Sequence, residues 1–125
     1  MAVSDGFRSF VLEQLGQLVP GTRERSMFGG VSIAGPGGAF ALIDDDVLYL
    51  KGDAESRAAF EEAGWPPFRP FGPEGSAMGY FAVPGDLLDS PEELEPWVAL
   101  AHDAAHRSRR ARRGSRRAWR GSAWK

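Results

Sequence analysis

Two histidines carry the sharpest chemical potential of this 125-residue chain. In His102-Asp103-Ala104-Ala105-His106 they stand four residues apart, so on a helix both imidazoles share one face and can reach one metal ion. The acid between them resembles the middle of a zinc-protease helix, but Asp is shorter than the Glu that reaches a metal-bound water there. No other histidine exists to complete a three-histidine site, and the chain has no cysteine. Favourable interaction of imidazoles with the dipole at a helix C-terminus explains the pair equally well. His102 and His106 therefore stand as weak metal candidates, and no cofactor is expected.

Other reactive-looking groups have simpler explanations. Asp44-Asp45-Asp46 offers oxygen ligands, yet a calcium loop spaces its ligands along alternate positions, and three adjacent acids suit a solvated hairpin tip. Ser26, Ser32, Ser56 and Ser76 lie in no nucleophile elbow, and without cysteine a nucleophile would need one of them beside a base. Glu61-Glu62 and Glu92-Glu93 fit helix surfaces or a cap, where solvation accounts for them. With no catalytic constellation, the chain reads as a non-enzyme. Arg25-Ser26-Met27-Phe28-Gly29-Gly30 is either a binding edge or a glycine bulge with Met27 and Phe28 in the core. It lacks the lysine and spacing of a phosphate loop. Arg23 and Arg25 are natural partners for carboxylate or phosphate.

Charge is segregated. The net charge is -2, but residues 107–125 hold nine of the fifteen basic residues and none of the seventeen acids. Residues 1–106 are thus left with six basic groups against seventeen acids, or -11. Arg107, Arg109, Arg110, Arg112, Arg113, Arg116, Arg117, Arg120 and Lys125, interleaved with Trp119 and Trp124, form a candidate nucleic-acid contact. The competing reading is a disordered tail folded loosely on its own acidic body. Absence of cysteine is compatible with a reducing cytoplasm. The start has no basic and apolar regions of a secretory signal, and no apolar run approaches membrane-spanning length, so no membrane partner is expected.

Elements must hold these groups in place. At this length the expectation is one domain, with 42% hydrophobic residues supporting a packed core. Ser4 or Asp5 can cap a first helix carrying Phe7, Phe10, Val11, Leu15 and Leu18 on one face, ended by Pro20-Gly21. A three-stranded meander follows: Val31 to Ile33, a Gly35-Pro36-Gly37-Gly38 turn, Phe40 to Ile43, an aspartate loop, and Val47 to Leu50. Asp53 can cap a second helix with Phe60, closed by Gly64 with Trp65 folded back. Phe68 to Phe71 suits an edge strand, and Ala77 to Val83 another. Ser90-Pro91-Glu92-Glu93 starts a last helix whose apolar face is Leu94, Trp97, Val98, Ala101 and Ala105. Pro96 conflicts with that face and implies a kink or a later start.

The run Arg25, Met27, Phe28, Gly29, Gly30 resembles the signature of the TfoX/Sxy N-terminal domain. Phe40-Ala41-Leu42-Ile43 with Leu48-Tyr49-Leu50-Lys51 is similar to that family's central hairpin. Met78-Gly79-Tyr80-Phe81-Ala82-Val83-Pro84 and Asp89 to Trp97 are similar to its later strand and last helix. The resemblance spans roughly residues 5–106. It implies a two-layer α+β domain with helices on one antiparallel five-stranded sheet, the same class that the elements give in the order α-β-β-β-α-β-β-α. It also implies kinship with bacterial competence regulators that act with a cyclic-AMP receptor-type transcription factor. Full-length members continue into a helical second domain, whereas here a basic stretch follows. The expected organisation is a stand-alone domain over residues 1–106 and a disordered basic tail over residues 107–125. The expected function is a cytoplasmic, non-enzymatic regulatory or adaptor domain with a protein partner, and weak nonspecific nucleic-acid contact by the tail. The alternative is a small-molecule- or metal-binding domain; a third reading is a homodimer without a nucleic-acid role.

Overall fold

The computed structural model describes residues 3–27, 29–70 and 79–123, with side chains through residue 112 and excluding that of Met27. The first helix, α1 (Asp5–Leu18), is capped by Ser4, whose hydroxyl accepts from Phe7 N–H at 3.3 Å. Its inward stripe buries Val11 and Leu15, and Phe7, Phe10 and Leu18 pack around them. Gly21 then turns the chain at φ +86°, a conformation open to glycine.

Four antiparallel strands follow: β1 (Arg23–Met27), β2 (Gly30–Gly35), β3 (Gly38–Asp44) and β4 (Val47–Lys51). A short helix, α2 (Arg57–Glu62), precedes β5 (Tyr80–Ala82). The strands lie in sequence order, β1-β2-β3-β4-β5, so the sheet is a continuous meander. A 3-10 turn over Gly85–Asp89 leads into the long helix α3 (Pro91–Ala123). The α+β class and the five-stranded sheet agree with the sequence. The distribution of strands differs in two places. Arg23–Met27 is itself a full strand rather than the head of one. The segment expected to add an edge at Phe68 to Phe71 contributes an isolated bridge from Pro67 to Phe81 instead, and Phe71 lies outside the described residues.

One face of the sheet carries the core. Register aligns Ile33, Ala41, Leu50 and Phe81 in one row, and Val31, Ile43 and Leu48 in the next. All are buried against α1 and α3. A bulge opposite Ile33 and Ala34 leaves Phe40 without a partner, so Phe40 and Ala41 both enter the core. On the other face Arg25, Ser32, Leu42, Tyr49 and Ala82 are aligned. The β3–β4 turn holds Asp45 and Asp46 at φ 52° and 56°, the left-handed pair that a two-residue hairpin needs and that aspartate tolerates.

Around α2, Asp53 caps the preceding turn rather than the helix, its Oδ1 accepting from the N–H groups of Glu55 and Ser56. Gly64 closes the helix at φ +81°, and Trp65 N–H bonds back to Phe60 C=O at 3.1 Å, as glycine followed by a large apolar residue dictates. Trp65, Phe60 and the half-buried Trp97 form one aromatic group, with Trp65 and Trp97 centroids 4.5 Å apart. Pro96 neither breaks α3 nor delays its start. It is exposed, so the Glu92 carbonyl that it leaves without a helical donor faces water.

Past His106, α3 continues to Ala123. The composition pointed to a disordered tail; the backbone is helical there. Arg and Ala are strong helix formers, and extending an existing helix avoids the cost of nucleation.

Candidate functional site

The second half of α3 and the helical turn before it gather most of the residues singled out from the sequence, and among the described residues two arginines tie this stretch to the body. On one side Arg107 grips Asp53 through both carboxylate oxygens, Nε donating to Oδ2 at 2.7 Å and Nη2 to Oδ1 at 2.9 Å. Glu55 stands 3.0 Å from the same Nε. This fork geometry is the strong form of a guanidinium–carboxylate pair. It holds the Asp53 carboxyl down at about 2, helped by bonds from Ser56 and opposed by burial. On the other side Arg109 Nη1 donates to the Pro36 carbonyl at 2.9 Å, across the β2–β3 turn.

Between these ties lie His102 and His106. Their rings meet edge to face at 4.6 Å. His102 Nε2 faces Gly37 N–H at 3.4 Å, and the His102 edge meets Phe40 at 5.7 Å. Burial, reinforced by His106, holds His102 below its ordinary value, with Asp103 pulling the other way. Since α3 runs on for many residues, the pair lies mid-helix, and the helix-dipole explanation offered by the sequence does not apply. Among the described residues no group of three His, Cys, Asp or Glu side chains could hold a metal ion. What occupies these imidazoles is the glycine turn.

The remaining arginines divide. Arg112 Nη1 donates to Ser108 Oγ at 2.8 Å, and its charge, after burial, helps lower Lys51. Arg110 is exposed. The side chains of Arg113, Arg116, Arg117 and Arg120, and all of Lys125, lie outside the described residues, as do those of Trp119 and Trp124.

The Arg25-to-Gly30 signature sits elsewhere, at the β1–β2 hairpin. Its glycines have structural work. Gly29 adopts φ +82°, and a Cβ on Gly30 would come 2.5 Å from the Ile43 carbonyl. Arg25 and Glu24 are both exposed on the edge strand, and Glu24 pairs with Arg8 of α1. Charged side chains on such an edge discourage pairing with another chain. Phe28 and the Met27 side chain lie outside the described residues. At the aspartate tip, Asp46 Oδ1 accepts from Ser4 N–H at 2.7 Å, a tie to the start of α1. Ser56, buried, is bonded to Asp53.

An open cleft of about 390 Å³ is lined by Asp53, Arg57, Glu61, Arg69 and Phe81, among others. Sequence reasoning missed the pairing of Asp53 with Arg107. Charge segregation hinted that the arginines fold on an acidic body, but residues 54 positions apart carry no spacing signal.

Comparison with known proteins gives two findings. The TfoX N-terminal domain family matches residues 13–105 of the chain. A relative, the "DNA transformation protein TfoX1" of Aliivibrio fischeri (strain ATCC 700601 / ES114), is 33% identical over 87 residues. That alignment covers 69% of this chain and 40% of the relative. The family match stops before Arg107, so the arginine-rich half of α3 lies beyond it.

Proposed function

This chain belongs to the TfoX N-terminal domain family, and from that premise we propose that it is a non-enzymatic regulatory or adaptor domain. It works in the cytoplasm by contacting a protein partner, with the arginine-rich end of α3 adding weak, sequence-independent contact with nucleic acid. The family match carries the first part, and a relative named for DNA transformation points the same way. Because the chain spans 40% of that relative's length, the relative's whole role is a proposal for this chain and no more. No helix among the described residues is long and apolar enough to cross a membrane.

The nucleic-acid part rests on one observation: nine basic residues and no acids in residues 107–125. Arg107 and Arg109 are engaged within the molecule, which leaves the later arginines as the contact. An acidic body repels phosphate, so binding is weak and falls steeply with salt, by about 0.9 in log affinity per phosphate neutralised for each log unit of salt. The test is titration of a labelled duplex against the full chain and a variant with Arg113, Arg116, Arg117 and Arg120 changed to Gln. Loss of binding in the variant is expected; equal affinity, or a strong preference for one sequence, would overturn it. Affinity purification from the native cells tests the protein-partner reading.

The charged cleft beside Asp53 favours a second reading, a small-molecule-binding domain. A ligand there would raise the melting temperature of the full chain in a metabolite screen, and Arg57→Ala would abolish the rise.

A further inference from the structure

We propose that the seat of the β2–β3 turn on α3 is a pH-operated catch, closed while His102 is uncharged and released when it takes a proton. The turn is built to sit on imidazole. Its only side chain beyond a hydrogen is that of Pro36, in the run Gly35-Pro36-Gly37-Gly38. A Cβ on Gly37 would lie 2.6 Å from the His106 ring, and one on Gly35 would lie 3.1 Å from His102 Nε2. Glycine at both positions lets backbone and rings touch.

The central bond has a defined requirement. Gly37 N–H donates to His102 Nε2, so that nitrogen must carry a lone pair and the ring its proton on Nδ1. A second proton turns the acceptor into a donor. Two N–H groups then face each other at a distance that had held a bond, and the turn has to lift. The surroundings favour the uncharged ring. From α3, His106 disfavours a charge on His102, Asp103 favours one, and Arg109 stands with its guanidinium on the Pro36 carbonyl. Among the described residues, the rings also meet Gly35, Gly37 and Phe40 of the hairpin, with Val19 at the end of α1 touching Gly35, and these four are uncharged.

The sign follows. The closed state binds a proton less readily than the open state, whose histidine keeps its ordinary value of 6.5. The catch is therefore fully closed above that value and is lost as pH falls through the lower value of the closed state, by up to about tenfold in the opening equilibrium per pH unit for one proton. Opening frees the carbonyl of Pro36 and, with it, Arg109.

The experiment is an NMR titration of the full chain from pH 8 to pH 5, following the His102 ring and the Gly37 amide. Hydrogen exchange at pH 7.5 and 5.5, corrected for intrinsic rate, is read in the same sample. His102 is expected to titrate below 6.5, with the Gly37 amide moving at the same midpoint. Gly37 protection should fall several-fold, up to about tenfold, between the two pH values, while the Ile43 and Leu50 amides hold. His102→Gln keeps an acceptor that does not titrate and should erase the change. A His102 midpoint at or above 6.5, a Gly37 amide blind to it, or the same loss of protection in His102→Gln would each overturn the catch. If that variant does not fold, the two midpoints in the unaltered chain decide alone.

Discussion

Asp53 does more than its place in the sequence announces. One carboxylate caps a turn, bonds a buried serine hydroxyl and receives the Arg107 fork. Its folded value of about 2 against an ordinary 3.8 sets a pH window. Between those values the unfolded chain binds more protons than the folded one, so this stability is complete above 3.8 and is lost as pH falls through about 2. Arg107→Ala should therefore flatten the acid limb of a urea-midpoint profile below pH 4. At neutral pH it should cost about 1–2 kcal/mol, the range for a charge-assisted pair that is partly buried. An unchanged acid limb would show that the fork does not form in solution. Gly30 answers to sterics instead. Gly30→Ala puts a methyl group 2.5 Å from a backbone oxygen that cannot swing away. A loss of about 2 kcal/mol or more is expected in denaturant unfolding, and full stability would mean that the β1–β2 hairpin is looser than it looks.

Among the elements, the aromatic group where α2 meets α3 ties helix to sheet. Phe60 stacks on Phe81 of β5 at 5.1 Å while touching both Trp65 and Trp97. Trp97 is only half-buried, so Trp97→Ala should cost about 2 kcal/mol, short of the 3–5 typical for a fully enclosed aromatic. A chemical-denaturation curve that does not move would free Trp97 for a partner contact. This is also the scale at which the sequence was most legible. Apolar spacing marked α1, and the run Phe40 to Ile43 announced a strand; all four residues are buried, three of them in the core because of the bulge. Gly64 and Trp65 announced the end of α2. Three features were not legible. The bulge at Phe40 depends on register against β2, which is a property of two strands. The continuation of α3 depends on a helix already formed beneath it, which composition does not record. The seat of His102 and His106 on glycine depends on a turn some 65 residues away, so the same i, i+4 spacing suggested a metal instead.

At the scale of the whole molecule, opposite charges are separated along the chain and partly rejoined by folding. Arg107 lies at the junction: its guanidinium is anchored to Asp53, and it stands just past the end of the family match. A chain ending at Arg112 should melt with the full chain, because every described tie to the body is kept. A chain ending at His106 loses both the Asp53 fork and the Pro36 contact. It should remain folded but melt lower by about 5–10 °C, roughly 1–2 kcal/mol for a domain of this size. Equal melting of all three chains would assign no stability to the ties; unfolding of the shortest would make the arginine half of α3 part of the core.

The unbroken run of α3 has a mechanical consequence. Leu94 and Val98 are buried in the body, while Ala123 stands sixteen residues past Arg107, about 24 Å farther along the axis. That makes the helix a lever arm with its fulcrum at the Asp53 fork. A tilt of about 10° at the buried end, within what a shift of side-chain packing can produce, moves the far end by about 4 Å. Pressure on the arginine end is returned to the core along the same rod. Whatever grasps one end of this helix therefore has a grip on the other.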